Sequence, residues 1–264
     1  LAAVLFSACR REDVMNTSDP AFETPLSARL VSEFFGTFML TLTFGLNVVM
    51  KSVATPFSAG AALICMVYSL GDVSGAHFNP AVTLAVVLSG RGQCSVGRGL
   101  AYCAVQLLAG IVAGMLFAEV QFYGPWKNED FSLHPKNGFS WLAVFVAELA
   151  FTFLLAFVVL AVATTRSPHC ASKQNFHFGL AIGVCVVAGG FAVGAISGAS
   201  SNPAVAWSLA TAEALKPGHH SDPSGIFQDC LAFCLFELVG AVLAAAVFGL
   251  THASEFRKPG ALLV

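Results

Sequence analysis

The sequence predicts an all-α membrane protein with six transmembrane helices and two re-entrant half-helices in an inverted 3+3 repeat. Three observations lead there. The chain is 56% hydrophobic and 11% charged over 264 residues, with mean hydropathy +0.76, against about 25% charged in soluble domains. Six apolar runs reach or approach the roughly 20 residues that cross a bilayer. One stretch, SGAHFNPAVT (74–83), returns almost unchanged as SGASSNPAVA (197–206).

Taken in order, the first half offers Leu30–Met50, Phe57–Val73, a short run Pro80–Leu88, and Leu100–Ala118. The second half offers Phe139–Ala163, Phe178–Ile196, a short run Pro203–Leu215, and Cys230–Leu250. Each half opens alike, with SEFFGTF (32–38) and AELAFTF (147–153), so Glu33 matches Glu148 and Thr37 matches Thr152. The first repeat is expected over 25–138 and the second over 139–252, with half-helices at 79–88 and 202–215. Residues 1–24 are expected to be a flexible N-terminal segment and 253–264 a C-terminal tail. The opening LAAVLFSAC has the apolarity of a signal-type segment but no basic stretch before it; Met15 is an alternative start.

Three spans per half is an odd number, so the second half enters from the opposite face. The result is an inverted repeat about an axis in the membrane plane. Arg10, Arg11, Arg29, Arg91, Arg98, Arg166, Lys173, Arg257 and Lys258 then share one side. Only Lys51, Lys127, Lys136 and Lys216 lie on the other. This imbalance predicts a multi-pass protein with both termini in the cytoplasm. The sequon Asn16-Thr17-Ser18 would face the cytosol and stay unmodified.

Irregular backbone at membrane depth must be buried in protein or line water. Asparagine is a preferred N-cap and proline a preferred first helical residue. Asn79-Pro80-Ala81 and Asn202-Pro203-Ala204 therefore each start a short helix, fed by the small residues Ser74-Gly75-Ala76 and Ser197-Gly198-Ala199. Two half-helices meeting tip to tip bring together two positive dipole ends of about half a charge each. Cations and protons are repelled there, while the two amides offer N–H donors to a neutral polar permeant.

The paired triplets, the six spans and the matched Glu33 and Glu148 resemble the aquaporins, or major intrinsic proteins, from about Leu30 to Leu250. YCAVQLLAG (102–110) resembles the third-span signature, with Gln106 in its usual place. The resemblance implies passive conduction of water or small neutral solutes through each protomer of a homotetramer embedded in lipid. It also implies that Glu33 and Glu148 hold the re-entrant loops by accepting hydrogen bonds from their backbone. The general reading of an intramembrane carboxylate as a proton relay is the alternative. Gln106 and His77 join this loop-support set, His77 by bonding loop backbone.

The match departs at the pore mouth. Family members normally carry arginine after the second triplet, where this chain has Val205. Counting back from each asparagine puts the other selectivity-filter positions at Ala59, Gly190 and Ala199. That ring is wide and apolar, and it lacks a donor and a fixed positive charge. It predicts passage of glycerol, urea or other small neutral molecules, with weaker cation exclusion. Against this, glycerol-conducting members usually follow the arginine with aspartate, whereas Ala206 and Ala210 stand as in water channels, and the connection between spans three and four is short. Water ranks first, with extra solutes expected; a glycerol- or urea-type facilitator is the alternative.

Other residues carry less. Glu237 is read either as a pore-lining or gating carboxylate, or as an interhelical contact or membrane-face residue. Asp72 is expected to be solvated or bonded to the loop it precedes. His219-His220 mark a solvated turn or a pH- or metal-sensing loop, and Ser167 a featureless loop or a phosphorylation site. Cys65, Cys103, Cys185, Cys230 and Cys234 fall in or beside apolar runs and are expected to pack; no pair has zinc-ligand spacing. No catalytic pairing, phosphate loop or cofactor fingerprint occurs, and a net charge of −2 argues against a nucleic-acid partner. Two competing classes stay open. An ion-coupled transporter needs charged residues at a midplane site; a non-conducting structural protein would keep the fold without a flux.

Overall fold

The computed structural model describes residues 24–125, 131–165, 178–216 and 223–256. The Asn16 sequon, Ser167, His219-His220 and the basic residues Arg10, Arg11, Lys127, Arg166, Lys173, Arg257 and Lys258 lie outside them. Eight α-helices are described: α1 Leu26–Val49, α2 Thr55–Ser74, α3 Pro80–Leu88, α4 Val96–Tyr123, α5 Trp141–Ala163, α6 Phe178–Val193, α7 Pro203–Ala214 and α8 Pro223–Thr251. A 3-10 turn, Ala253–Phe256, follows.

Helices α1, α2, α4, α5 and α8 are long and apolar enough to cross a membrane. The 16 described residues of α6 span about 24 Å and run into a turn at 194–197. Helix α6 therefore ends short of the expected Ile196. The other spans mostly outrun their apolar runs, because helices continue into the polar interface where capping replaces burial. Ser95 accepts a bond from the Arg98 amide (3.3 Å) to start α4, and Ser140 one from the Ala143 amide (3.3 Å) to start α5.

The packing repeats across the two halves. Helix α1 lies against α2 and α4, as α5 lies against α6 and α8, and α2 meets α6 at the seam. The half-helices exchange partners: α7 packs chiefly on α4 of the first repeat, and α3 chiefly on α8 of the second. Each sits in its own apolar core. Ala81–Val86 join Val159, Leu160 and Phe248 in one; Val205–Ala212 join Phe117, Phe131 and Phe233 in the other. Leu100, Leu142 and Leu250 are exposed on the outer face, as a bilayer solvent permits.

Close approach of α4 and α7 depends on Gly110 and Gly114, spaced as a small-xxx-small motif. A β-carbon at Gly110 would lie 2.3 Å from the Ala204 carbonyl oxygen, and one at Gly114 2.5 Å from that of Ser208. Backbone touches backbone here. The half-helix has no room to retreat, so its tip is held at a fixed depth.

The candidate pore and its loops

The two asparagines are brought together. Each caps its own half-helix: Asn79 Oδ1 accepts from the Ala81 amide (2.8 Å) and Asn202 Oδ1 from the Ala204 amide (2.9 Å). Each then reaches across. The Asn79 side-chain amide donates to the Ser201 carbonyl (2.9 Å), and that of Asn202 to the Phe78 carbonyl (3.0 Å). One N–H of each amide is thereby used between the loops, which leaves one per amide for the cavity that both residues line. Pro80, Ala81, Pro203 and Ala204 are buried in the first turns.

The loops ahead of the triplets are left-handed at matching positions. Gly75 and Gly198 have φ of 95° and 98°, Ala76 and Ala199 50° and 55°, Phe78 and Ser201 48° and 46°. Left-handed backbone costs a non-glycine residue about 1–2 kcal/mol, and it points successive N–H groups the same way. Buried carboxylates meet them. Glu33 accepts from the amides of His77 (3.0 Å) and Phe78 (2.7 Å), the Ser74 hydroxyl (2.6 Å) and the Gln106 amide (2.8 Å). Glu148 accepts from the amides of Ser200 (3.2 Å) and Ser201 (2.8 Å) and contacts the Ser200 hydroxyl (3.3 Å).

Glu237 lies in this second cradle, and sequence reasoning did not place it there. Fully buried, it accepts from the Asn202 amide (2.9 Å) and from the Ser200 hydroxyl. It lines neither cavity described below. The signal that could have found it is faint: Gln106-Leu107 in span three pairs with Glu237-Leu238 in span six. His77 also differs from expectation. Its ring pairs with the Thr83 hydroxyl (3.1 Å) and stands edge-on to Tyr102 (5.3 Å between centroids), because Glu33 already takes the nearby loop amides. Tyr102 instead donates to the Ser74 carbonyl (2.9 Å). Asp72 is exposed, and so is Cys65, which was expected to pack. No metal-holding group of His, Cys, Asp and Glu occurs among the described residues.

Two cavities border the second re-entrant loop, both touching Ala199 and Ser200. The inner one, about 40 Å³ open to the centres of water molecules, holds Asn79, Asn202, His77 and Val205 on its wall. The outer vestibule, about 200 Å³, is bordered by Lys136, Thr55 and Ser197. They share Phe44, Ala59, Val186, Gly190, Ala199 and Ser200, so they meet at one ring. Three residues reached by counting, Ala59, Gly190 and Ala199, stand in it, with Val205 on the inner side. Counting missed Phe44, which lines both cavities.

The family model described as "Major intrinsic protein" matches residues 21–248. The chain belongs to that family. Similar curated proteins include Aquaporin NIP3-1 of Arabidopsis thaliana, 30% identical over 253 residues, covering 90% of this chain and 72% of the relative. Nodulin-26 of Glycine max is 30% identical over 252 residues, covering 92% and 84%. Among solved structures, the X-ray structure of the aquaglyceroporin from Plasmodium falciparum aligns with a TM-score of 0.70 at 18% identity, covering 85% of this chain and 96% of that one. That likeness is one of fold. As a major intrinsic protein the chain is an integral, multi-pass membrane channel and not an enzyme.

Proposed function

We propose that this chain is a passive channel that conducts water first and, in addition, small neutral solutes such as glycerol or urea. The ring where vestibule and inner cavity meet carries the reading. Alanine and glycine occupy its counted positions, and Val205 stands where the family motif normally has arginine. An inner cavity of about 40 Å³ has room for water, since a site of roughly 10–15 Å³ measured in this way holds one molecule. Its apolar wall offers few hydrogen bonds, so the free N–H groups of Asn79 and Asn202 are the fixed donors a permeant meets. Two converging helix tips disfavour cations at that point. Glu33, Glu148, Gln106 and His77 act as supports rather than relays, because their bonds run to the loops and half-helices. The working unit is a homotetramer with both termini in the cytoplasm.

Proteoliposome swelling tests this. Val205→Arg is expected to cut glycerol and urea uptake by about tenfold while sparing water, because a guanidinium narrows the ring and charges it. Unchanged solute uptake would count against the reading.

A further inference from the structure

Glu148 of α5 and Glu237 of α8 are both fully buried, and both contact the hydroxyl of Ser200. Glu237 Oε1 also accepts from the Asn202 amide (2.9 Å), whereas its Oε2 is buried without a hydrogen-bond partner. One oxygen thus serves as a carbonyl does, and the other is the place for a hydrogen. Among the described residues neither acid makes an ion pair. The elements packed on α8 bring no cation to them. Helix α3 has no titratable side chain, α5 presents Glu148, and α7 carries only Glu213, at the far end from Asn202 and beside Lys216 (3.8 Å). Arg91 and Glu255 pair (3.6 Å) about three turns further along α8, where the guanidinium covers Phe248. On α8 itself Cys234 lies one turn before Glu237, and Cys230 one turn before that. In the first cradle the matching place is neutral: Gln106 donates to Glu33 (2.8 Å).

We infer that Glu148 and Glu237 form a proton-binding site behind the pore ring, holding one proton between them, and that its loss displaces the ring, so that permeability falls at alkaline pH. Two carboxylates meeting at one hydroxyl do not both stay ionised. Glu148, which accepts from the Ser200 and Ser201 amides, is the charged member. Glu237 with a hydrogen on Oε2 has the shape and neutrality of Gln106, so the two cradles then carry the same charge. When that O–H bond breaks, the proton passes to solvent and two negative charges face one hydroxyl. Their repulsion bears on the backbone they hold, from Ser200 to Asn202. Ser200 lines both cavities and follows Ala199 of the ring. The proton is stored beside the pore and not relayed along it. The permeability half of this inference rests on the proposed conduction of water; the proton itself does not.

The test follows the full chain and Glu237→Gln in proteoliposomes by infrared spectroscopy and by water uptake, each against pH. At neutral pH the parent is expected to show a carboxylic-acid C=O stretch that Glu237→Gln lacks; identical spectra overturn the site. Raising the pH from about 7 to about 10 should remove that band and lower the parent's water uptake by about fivefold. Glu237→Gln, compared with its own uptake at neutral pH, should hold steady over the same range. Equal falls in both proteins, or a flat response in the parent, overturn the pH control. Should the variant fail to reconstitute, the parent alone decides, because uptake that falls while the band persists also overturns it. A parent that passes no water at neutral pH defeats the conduction reading instead, and the infrared comparison still decides the proton.

Discussion

The loops that precede α3 and α7 share a backbone and differ in what holds them. Their left-handed residues match to within a few degrees at three paired positions. In the first repeat one carboxylate, Glu33, collects four donors, one of them the Gln106 amide. In the second, Glu148 and Glu237 converge on the single hydroxyl of Ser200. That hydroxyl has one hydrogen, so it cannot donate fully to both. Glu237 Oε2 is buried with no hydrogen-bond partner in the structure. The duplicated feature is a demand: inward-pointing N–H groups at membrane depth require an acceptor. How each repeat meets it has diverged, and the second does so with surplus acceptors.

Removing the better-satisfied acceptor should do most damage. Glu33→Ala strands two loop amides, the Ser74 hydroxyl and the Gln106 amide, at about 1–3 kcal/mol for each donor left buried. Loss of monodisperse protein in detergent is the expected outcome; a folded, conducting Glu33→Ala channel would show that the loop holds itself.

Converting the first cradle into the second is the next step down. Gln106→Glu places a second carboxylate against Glu33 and deletes its donor, and should destabilise the protein by about 2–3 kcal/mol. A lowered detergent unfolding midpoint checks it, and an unchanged midpoint would mean that the two cradles are interchangeable.

The reverse change should be the mildest. Glu237→Gln keeps an acceptor for Asn202 and Ser200 and supplies the amide donor that the second cradle lacks. Stability should hold or rise by up to about 1 kcal/mol, with water permeability unchanged. A clear loss of stability would assign Glu237 a role that an amide cannot fill.

Much of the fold was legible because its signals are local. Hydropathy marks a span without reference to any partner, and Asn-Pro starts a helix by its own chemistry. The half-helix expected at Pro80–Leu88 has those bounds, and that expected at Pro203–Leu215 ends one residue earlier. Span ends were less legible. Val96, outside its apolar run, begins α4 because Ser95 caps it.

The site divided in the same way. Positions one turn or one loop from a triplet, such as Ala199 and Val205, could be counted. Phe44 and Lys136 could not, since they come from α1 and from the connection before α5. Glu237 was visible as an acid within an apolar span, read as a pore-lining or gating carboxylate or as an interhelical or membrane-face residue, and its place on the second loop came only from the fold.

By itself, then, the sequence determined the number of passes, the inversion of the repeat and the places where helices begin at mid-membrane, since each follows from residue chemistry over a short window. Only the tertiary structure decided which half-helix packs on which repeat, which acids serve the second loop and which cation overlooks its vestibule. Those outcomes depend on contacts between segments dozens of residues apart, whose angle and depth are set by side-chain volume at crossings such as Gly110 on Ala204, and no local pattern encodes them.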